Sequence, residues 1–395
     1  MAHERLFTRD FSLAWLGSFF QGVSWSLFIH FPGFLGDLGA SEAEIGIIFG
    51  IAAVAALAIR PSVGLALDRY GRKPVINIGN VINTGGILLY LTVSAIGPWV
   101  YAVRILHGVG LAVLFSAFFT YGADVVPQSR RTQGFAVFGV SGLLPIAVAG
   151  VVGDFVLNVA GFTQLFLTAA VCAGTALVLA LPLRERKPEL AEGQERSGFV
   201  SVIRTYSLVP VWVMAAGFAF VLTAYFTFLR TFVDETGIGS VGLFFAVYGA
   251  AAVFLRVFLG WLPDRVGPKR VFYPSMACLA GGFVFLSIAS GNPHIAIAGL
   301  LCGVGHGFGF PILSGIIVDR APDEDRGSAI TFFTALFDLG VLVGGPILGV
   351  IITQLGYTAM FNFAAIFIVA TTALFFIWDD RRLRTIPGVA FSTAE

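Results

Sequence analysis

Apolar stretches of about 20 residues, enough helix to cross a hydrocarbon core of roughly 30 Å, follow one another along the whole chain. Polar breaks separate them at 36–43, 68–74, 96–98, 123–133, 158–162, 184–205, 233–239, 263–270, 291–294, 319–327 and 354–357. Eleven breaks predict twelve transmembrane helices, here called spans 1 to 12. The breaks alternate in charge. Of 24 Lys and Arg, 20 lie in the N-terminus, in every second break and in the C-terminal tail, and the intervening breaks hold none. Positive charge stays on the cytoplasmic side of a membrane, so both termini are expected in the cytoplasm of a multi-pass inner-membrane protein. The stretch from Phe11 to about Leu35 is longer than a signal-peptide core and reads as a retained first span. The longest break is charged and central. It predicts an N-terminal six-helix half (1–183), a cytoplasmic linker (184–205), a C-terminal six-helix half (206–378) and a cytoplasmic tail (379–395).

Composition agrees. Hydrophobic residues make up 57% of the 395 and charged residues 12%, with a mean hydropathy of +0.88. A soluble domain carries about a quarter charged residues. A net charge of +1 leaves no basic face for nucleic acid. Cys172, Cys278 and Cys302 are isolated in apolar runs, so no zinc spacing or disulfide framework arises. The expected partners are the bilayer and a small molecule, with a monomeric chain, no metal and no bound cofactor.

The halves repeat. Arg60…Gly64…Asp68-Arg69-x-Gly71-x-Lys73 recurs as Arg256…Gly260…Asp264-Arg265-x-Gly267-x-Lys269, a constant offset of 196. His107-Gly108-x-Gly110 recurs as His306-Gly307-x-Gly309, and Asp124-x-x-Pro127-x-x-x-Arg131 as Asp319-x-x-Pro322-x-x-x-Arg326. Duplication of a six-helix unit accounts for the order. Symmetric positions then build scaffold. A solute, having no two-fold symmetry, must be read by positions unique to one half.

GLALDRYGRK (64–73) after span 2 resembles the signature loop of the major facilitator superfamily, and RILHGVG (104–110) is similar to its fourth-helix motif. The resemblance covers the chain and implies an all-α membrane fold of two pseudo-symmetric six-helix bundles. It further implies a central cavity lined by spans 1, 4, 7 and 10, and halves that rock about a midplane site. The loop then supplies a cytoplasmic gate of Asp68, Arg69, Gly71, Arg72, Asp124, Asp264 and Arg265, with Asp124 the expected partner of Arg69. The superfamily's span-5 exporter pattern, GPxxGG, is reduced to Pro145, while a GGPxxG version (Gly344, Gly345, Pro346, Gly349) appears in span 11.

Proton-coupling candidates are Asp338, Arg104 and His107. Asp338 lies near the centre of span 11, where a carboxylate is cheaper neutral than charged and alone, and it aligns with Leu143. A structural hydrogen-bonding role is an equal reading. The resemblance links Arg104 to proton movement. Aligning the two His-Gly motifs sets Arg104 opposite Gly303 and His107 opposite His306, two imidazoles that titrate near neutrality if they face the cavity. Arg60, Arg256 and Arg230 are expected to snorkel toward the nearer surface. Asn77, Asn80 and Asn83 form a stripe on span 3 that reads as helix packing.

Substrate-cavity candidates are Gln21, Trp25, Phe28, Phe115, Thr223, Tyr225, His306, Phe310 and Phe337. Such a lining, aromatic with scattered hydroxyls, suits a lipophilic or amphipathic organic molecule. The function expected is proton-coupled efflux of drug-like compounds by alternating access, powered by an ion gradient. A sugar or small-metabolite carrier is the alternative, and an organic-anion carrier using Arg104 the third. A membrane enzyme would need a nucleophile–base pair or a metal site, and a receptor an appended domain; neither is visible.

Overall fold

In the computed structural model, residues 6–126, 131–185, 203–321 and 326–382 are described, and their regular structure is helical throughout. Span 1 is Arg9–Ser26, continued by a 3₁₀ turn Leu27–His30 and a short helix Phe31–Asp37. Spans 2 to 6 are Glu42–Tyr70, Arg72–Leu89, Pro98–Val125, Arg131–Val159 and Phe162–Ala180. Spans 7 to 10 are Val209–Thr236, Val241–Phe258, Pro268–Ser287 and Asn292–Arg320. Spans 11 and 12 run as one helix, Arg326–Phe375, divided at Gly356 (φ 81°, ψ 173°). Ten helices among the described residues are long and apolar enough to cross a membrane. Dividing the last of them at Gly356 and adding the interrupted span 1 gives twelve. The expected linker falls largely on residues 186–202, and the expected tail largely on 383–395, outside the described residues.

Short turns set the spans' ends. Ser41 caps span 2 through a reciprocal capping box with Glu44. Gly71, between spans 2 and 3, has φ 93°, and a Cβ there would run into the Glu185 carboxylate. Only glycine meets both conditions. Gly267, its repeat counterpart, has φ 104°.

The duplication is visible in the packing. Span 2 lies along span 11, and span 8 along span 5, so each half contributes its second helix to the other half's fifth. A Cβ on Gly345 would sit 2.6 Å from the Gly46 carbonyl oxygen, and one on Gly242 would sit 3.0 Å from that of Gly150. These matched glycine seams let backbones approach closely.

The same glycines correct one alignment. Gly108 presses on Ala52 and Gly303 on Tyr248; Gly110 presses on Asn83 and Gly305 on Leu279. Gly86 meets His107, as Gly282 meets Cys302. Span 10 therefore matches span 4 at an offset of 195, not the 199 of the His-Gly motifs. His107 corresponds to Cys302 and Arg104 to Gly299, while His306 stands one helical turn out of register. The motif match paired residues of like type, whereas backbone contact decides the true register.

The two ends of the molecule differ. At the end with the termini, here the basic end, Arg72 pairs with Asp124 within the first half, and Asp379 with Lys269 and Arg320 within the second. At the distal end the bonds cross between halves. The Tyr357 hydroxyl donates to Glu42 Oε1 (2.5 Å) and Thr231 to Glu42 Oε2 (3.1 Å). The Gly242 N–H donates to Asp154 Oδ2 (2.6 Å), and Arg230 lies 3.8 Å from Asp154.

Candidate transport site

Arg60, one residue before Pro61 in span 2, reaches across the half interface. Its Nη2 is 2.6 Å from Asp338 Oδ2 on span 11, and its Nε donates to the same oxygen at 2.7 Å. The side chains are 11% and 22% exposed. Removing either charge from a pair this dry leaves the other with an uncompensated desolvation cost. Arg60 therefore does not snorkel to the surface. Its guanidinium also lies 6.0 Å over the Phe115 ring of span 4.

From this pair the contacts run round the molecule. Phe337, beside Asp338, has its ring 5.3 Å from Phe310 of span 10. Phe310 lies under the Arg256 guanidinium of span 8 at 5.9 Å. Arg256 Nη1 approaches span 5, lying 3.7 Å from where a Gly139 Cβ would be. His306 joins the ring, half-buried, with Phe218, Phe226 and Phe310 against its imidazole and the Tyr248 hydroxyl on Nδ1. Asp338, Phe115, Phe310, Phe337 and His306, named from the sequence, thus come together among spans 2, 4, 8, 10 and 11. Arg60, Arg256 and Tyr248 belong beside them. The repeated arginines were legible as a pair, but the repeat could not say that one of them meets Asp338.

Other named residues lie elsewhere. His107 is fully buried inside the first half, with Tyr90 on its Nδ1 at 3.2 Å and the Phe28 ring 4.3 Å away. It does not face a cavity. Phe28, 4% exposed, packs against Phe31, Tyr90 and Phe166 and is core. Gln21 accepts from Asn83 Nδ2 (3.3 Å), which joins span 1 to the span 3 asparagine stripe. Thr223 is buried and donates to the Ala219 and Gly340 carbonyls, packing span 7 on span 11. Tyr225 is buried among Phe244, Phe245, Tyr248 and Phe283. These five side chains are buried because helices pack there. Trp25 is 46% exposed. Arg104 is buried with its guanidinium 4.4 Å over Phe49 and 5.2 Å over Phe31, near His107 Nδ1 (3.5 Å).

The cytoplasmic loop differs in detail from the expected gate. Asp124 pairs with Arg72 (Nε to Oδ2, 2.8 Å), not with Arg69. Arg72 is the first residue of span 3 and is aimed by the Gly71 turn toward the end of span 4. Arg69, on the last turn of span 2, is exposed over the Tyr70 ring. The Asp68 side chain lies outside the described residues. Asp264 and Arg265 are exposed, with Arg265 over Trp261. At the distal end Arg230 reaches outward to Asp234, one turn nearer the end of span 7, and pairs with it at 2.7 Å.

Two apolar grooves open elsewhere, one between spans 7, 11 and 12 (Phe220, Val343, Phe367) and one between spans 5 and 8 (Val148, Ala246, Phe254). Neither is lined by a charged side chain.

Known proteins share this layout. The chain is 23% identical to the multi-drug resistance efflux pump PmrA of Streptococcus pneumoniae over 394 residues, 95% of this chain and 97% of that one. It is 23% identical to the staphylopine export protein of Staphylococcus aureus, covering 86% of this chain and 88% of the relative. Among solved structures, the POT family transporter PepTSo superposes with a TM-score of 0.79 at 13% identity, covering 96% and 99% of the two chains. The profile of the Major Facilitator Superfamily matches residues 14–240 and 235–392. With twelve spans in two pseudo-symmetric bundles and that match over nearly its whole length, the chain belongs to the Major Facilitator Superfamily, as a membrane transporter and not an enzyme.

Proposed function

We propose that the protein exports lipophilic, drug-like small molecules in exchange for protons, by alternating access. The observation that carries this is the Arg60–Asp338 pair. It bridges the halves inside the membrane and is flanked by Phe115 and Phe337, so an event at the carboxylate acts both on the half interface and on an aromatic lining. Neutralising Asp338 with a proton removes the charge that holds Arg60, and frees span 2 to move against span 11. Among the described residues, hydrogen bonds join the halves at the distal end while the ion pairs of Arg72 and Asp379 lie within each half, which fits a state open toward the basic end. Positive-inside charge makes that end cytoplasmic, as expected of an inner-membrane exporter collecting its load. The efflux function named for the pneumococcal relative supports the direction. Export of a small metabolite, as named for the staphylococcal relative, is the second reading.

Asp338→Asn tests the coupling. In proteoliposomes the substitution is expected to abolish transport driven by a pH gradient while leaving substrate counterflow intact. Unaltered pH-driven transport would sink the reading.

A further inference from the structure

The pseudo-two-fold relates two arginines that share an aromatic neighbour and a reach across the half interface but differ in the partner they find there. Arg60 and Arg256 occupy the same position in the repeat, on spans 2 and 8. Each guanidinium lies over a repeat-related phenylalanine, Phe115 at 6.0 Å and Phe310 at 5.9 Å. Each reaches across to the other half's fifth helix. Arg60 finds Asp338 there. Arg256 finds Gly139 there, and the position corresponding to Asp338 is Leu143, which is buried and apolar. The Gly150–Gly242 and Gly345–Gly46 seams hold these helices in the same register, so no shift of span 5 would bring a carboxylate to Arg256.

Among the described residues Arg256 forms no ion pair, and its Nε is buried without a hydrogen-bond partner. Its neighbours are the Phe310 ring and the Tyr248–His306 pair. A cation over a ring recovers only part of the cost of taking a guanidinium out of water. A guanidinium whose buried Nε has no partner is matched in geometry by a carboxylate or sulfonate. The aromatic surface around it, Phe310, Phe337 and Phe226, fits the apolar body of the same molecule.

We infer that Arg256 is an anion-recognition residue, and that the site takes amphipathic organic anions, the acid group on Arg256 and an aromatic body on Phe310 and Phe337. The inference rests on the transport reading above and narrows its substrate class. In this arrangement the ligand's acid group completes, for the second half, the bridge that Asp338 completes for the first. Bound anion and Asp338 therefore act at equivalent seams between the halves.

Matched compounds separate the possibilities. Binding of 2-naphthoate and of its neutral analogue 2-naphthamide to the purified full-length protein is measured by ligand-induced thermal stabilisation, together with their flux in proteoliposomes. Arg256→Gln is expected to weaken naphthoate binding by about tenfold or more, the loss of one charge-assisted contact, and to leave naphthamide within about twofold. Leu143→Asp supplies the missing internal partner and is expected to suppress naphthoate binding while Arg256 is still present. Equal losses for both compounds in Arg256→Gln, or naphthoate binding unchanged in both variants, would overturn the assignment. If neither compound's flux responds to a pH gradient in the unaltered protein but naphthoate binding still depends on Arg256, the coupling reading fails and the anion site stands.

Discussion

Arg60 and Asp338 show how much a single contact decides inside a membrane. Breaking a buried pair by removing one partner leaves a lone charge and costs about 3–5 kcal/mol, more than either residue contributes by packing. Arg60→Asp or Asp338→Arg alone is expected to lower the melting temperature of the purified protein sharply. The double exchange is expected to restore most of it, because the pair is rebuilt with its polarity reversed. A double variant no more stable than the singles would mean that the two side chains do not depend on one another. At this scale the sequence was a partial guide. It marked Asp338 as asymmetric and buried, and it offered Phe310, Phe337 and His306 from composition and repeat. It also offered His107, Phe28, Gln21, Thr223 and Tyr225, which are packed within or between helices. The reason is physical: a helix face turned to a neighbour and one turned to a substrate are both apolar here, since lipid tails are as apolar as leucine. Which face is which depends on crossing helices far away in sequence.

At the level of elements, spans and their order were legible because a hydrophobic run of sufficient length admits few other readings. Register between helices was not, since it is set by which glycine meets which backbone. The seam between spans 2 and 11 illustrates the consequence. Gly345→Ala places a Cβ 2.6 Å from the Gly46 carbonyl oxygen, where only backbone can yield. It is expected to cost about 1–3 kcal/mol through overpacking and to slow transport by spreading the seam. Gly142→Ala, at a glycine with nothing within 4 Å of the added Cβ, is the matched control and is expected to change neither thermal stability nor flux. Comparable losses in both variants would mean that close approach at Gly345 is not what the substitution disturbs, since backbone entropy alone favours alanine in a helix.

For the molecule as a whole, the distal end is held by few bonds, and Glu42 accepts two of them, from Tyr357 and Thr231. Tyr357→Phe removes one donor and little volume. The loss of a net hydrogen bond, about 1 kcal/mol, shifts a two-state balance by roughly fivefold, here toward separation of the distal ends. Spin labels at Asn158 and Ser290, exposed on the distal ends of opposite halves, are expected to report a larger population of long distances in the variant; an unchanged distribution would exclude Glu42 as a clasp. The one-turn displacement of the His306-Gly307-x-Gly309 motif carries a different lesson, for anyone who grafts one half onto the other. A chimera that exchanges span 4 for span 10 by matching the histidines would slide the transplanted helix about 6 Å and rotate it by roughly 40°, driving the Arg104 and Leu106 side chains into the seats that Gly303 and Gly305 leave open against Tyr248 and Leu279. Joined instead at Pro98 and Pro293, the exchanged helices bring glycine to glycine. The sound cut for such a graft thus lies at the proline that opens each helix, and the most conspicuous shared motif is the wrong ruler.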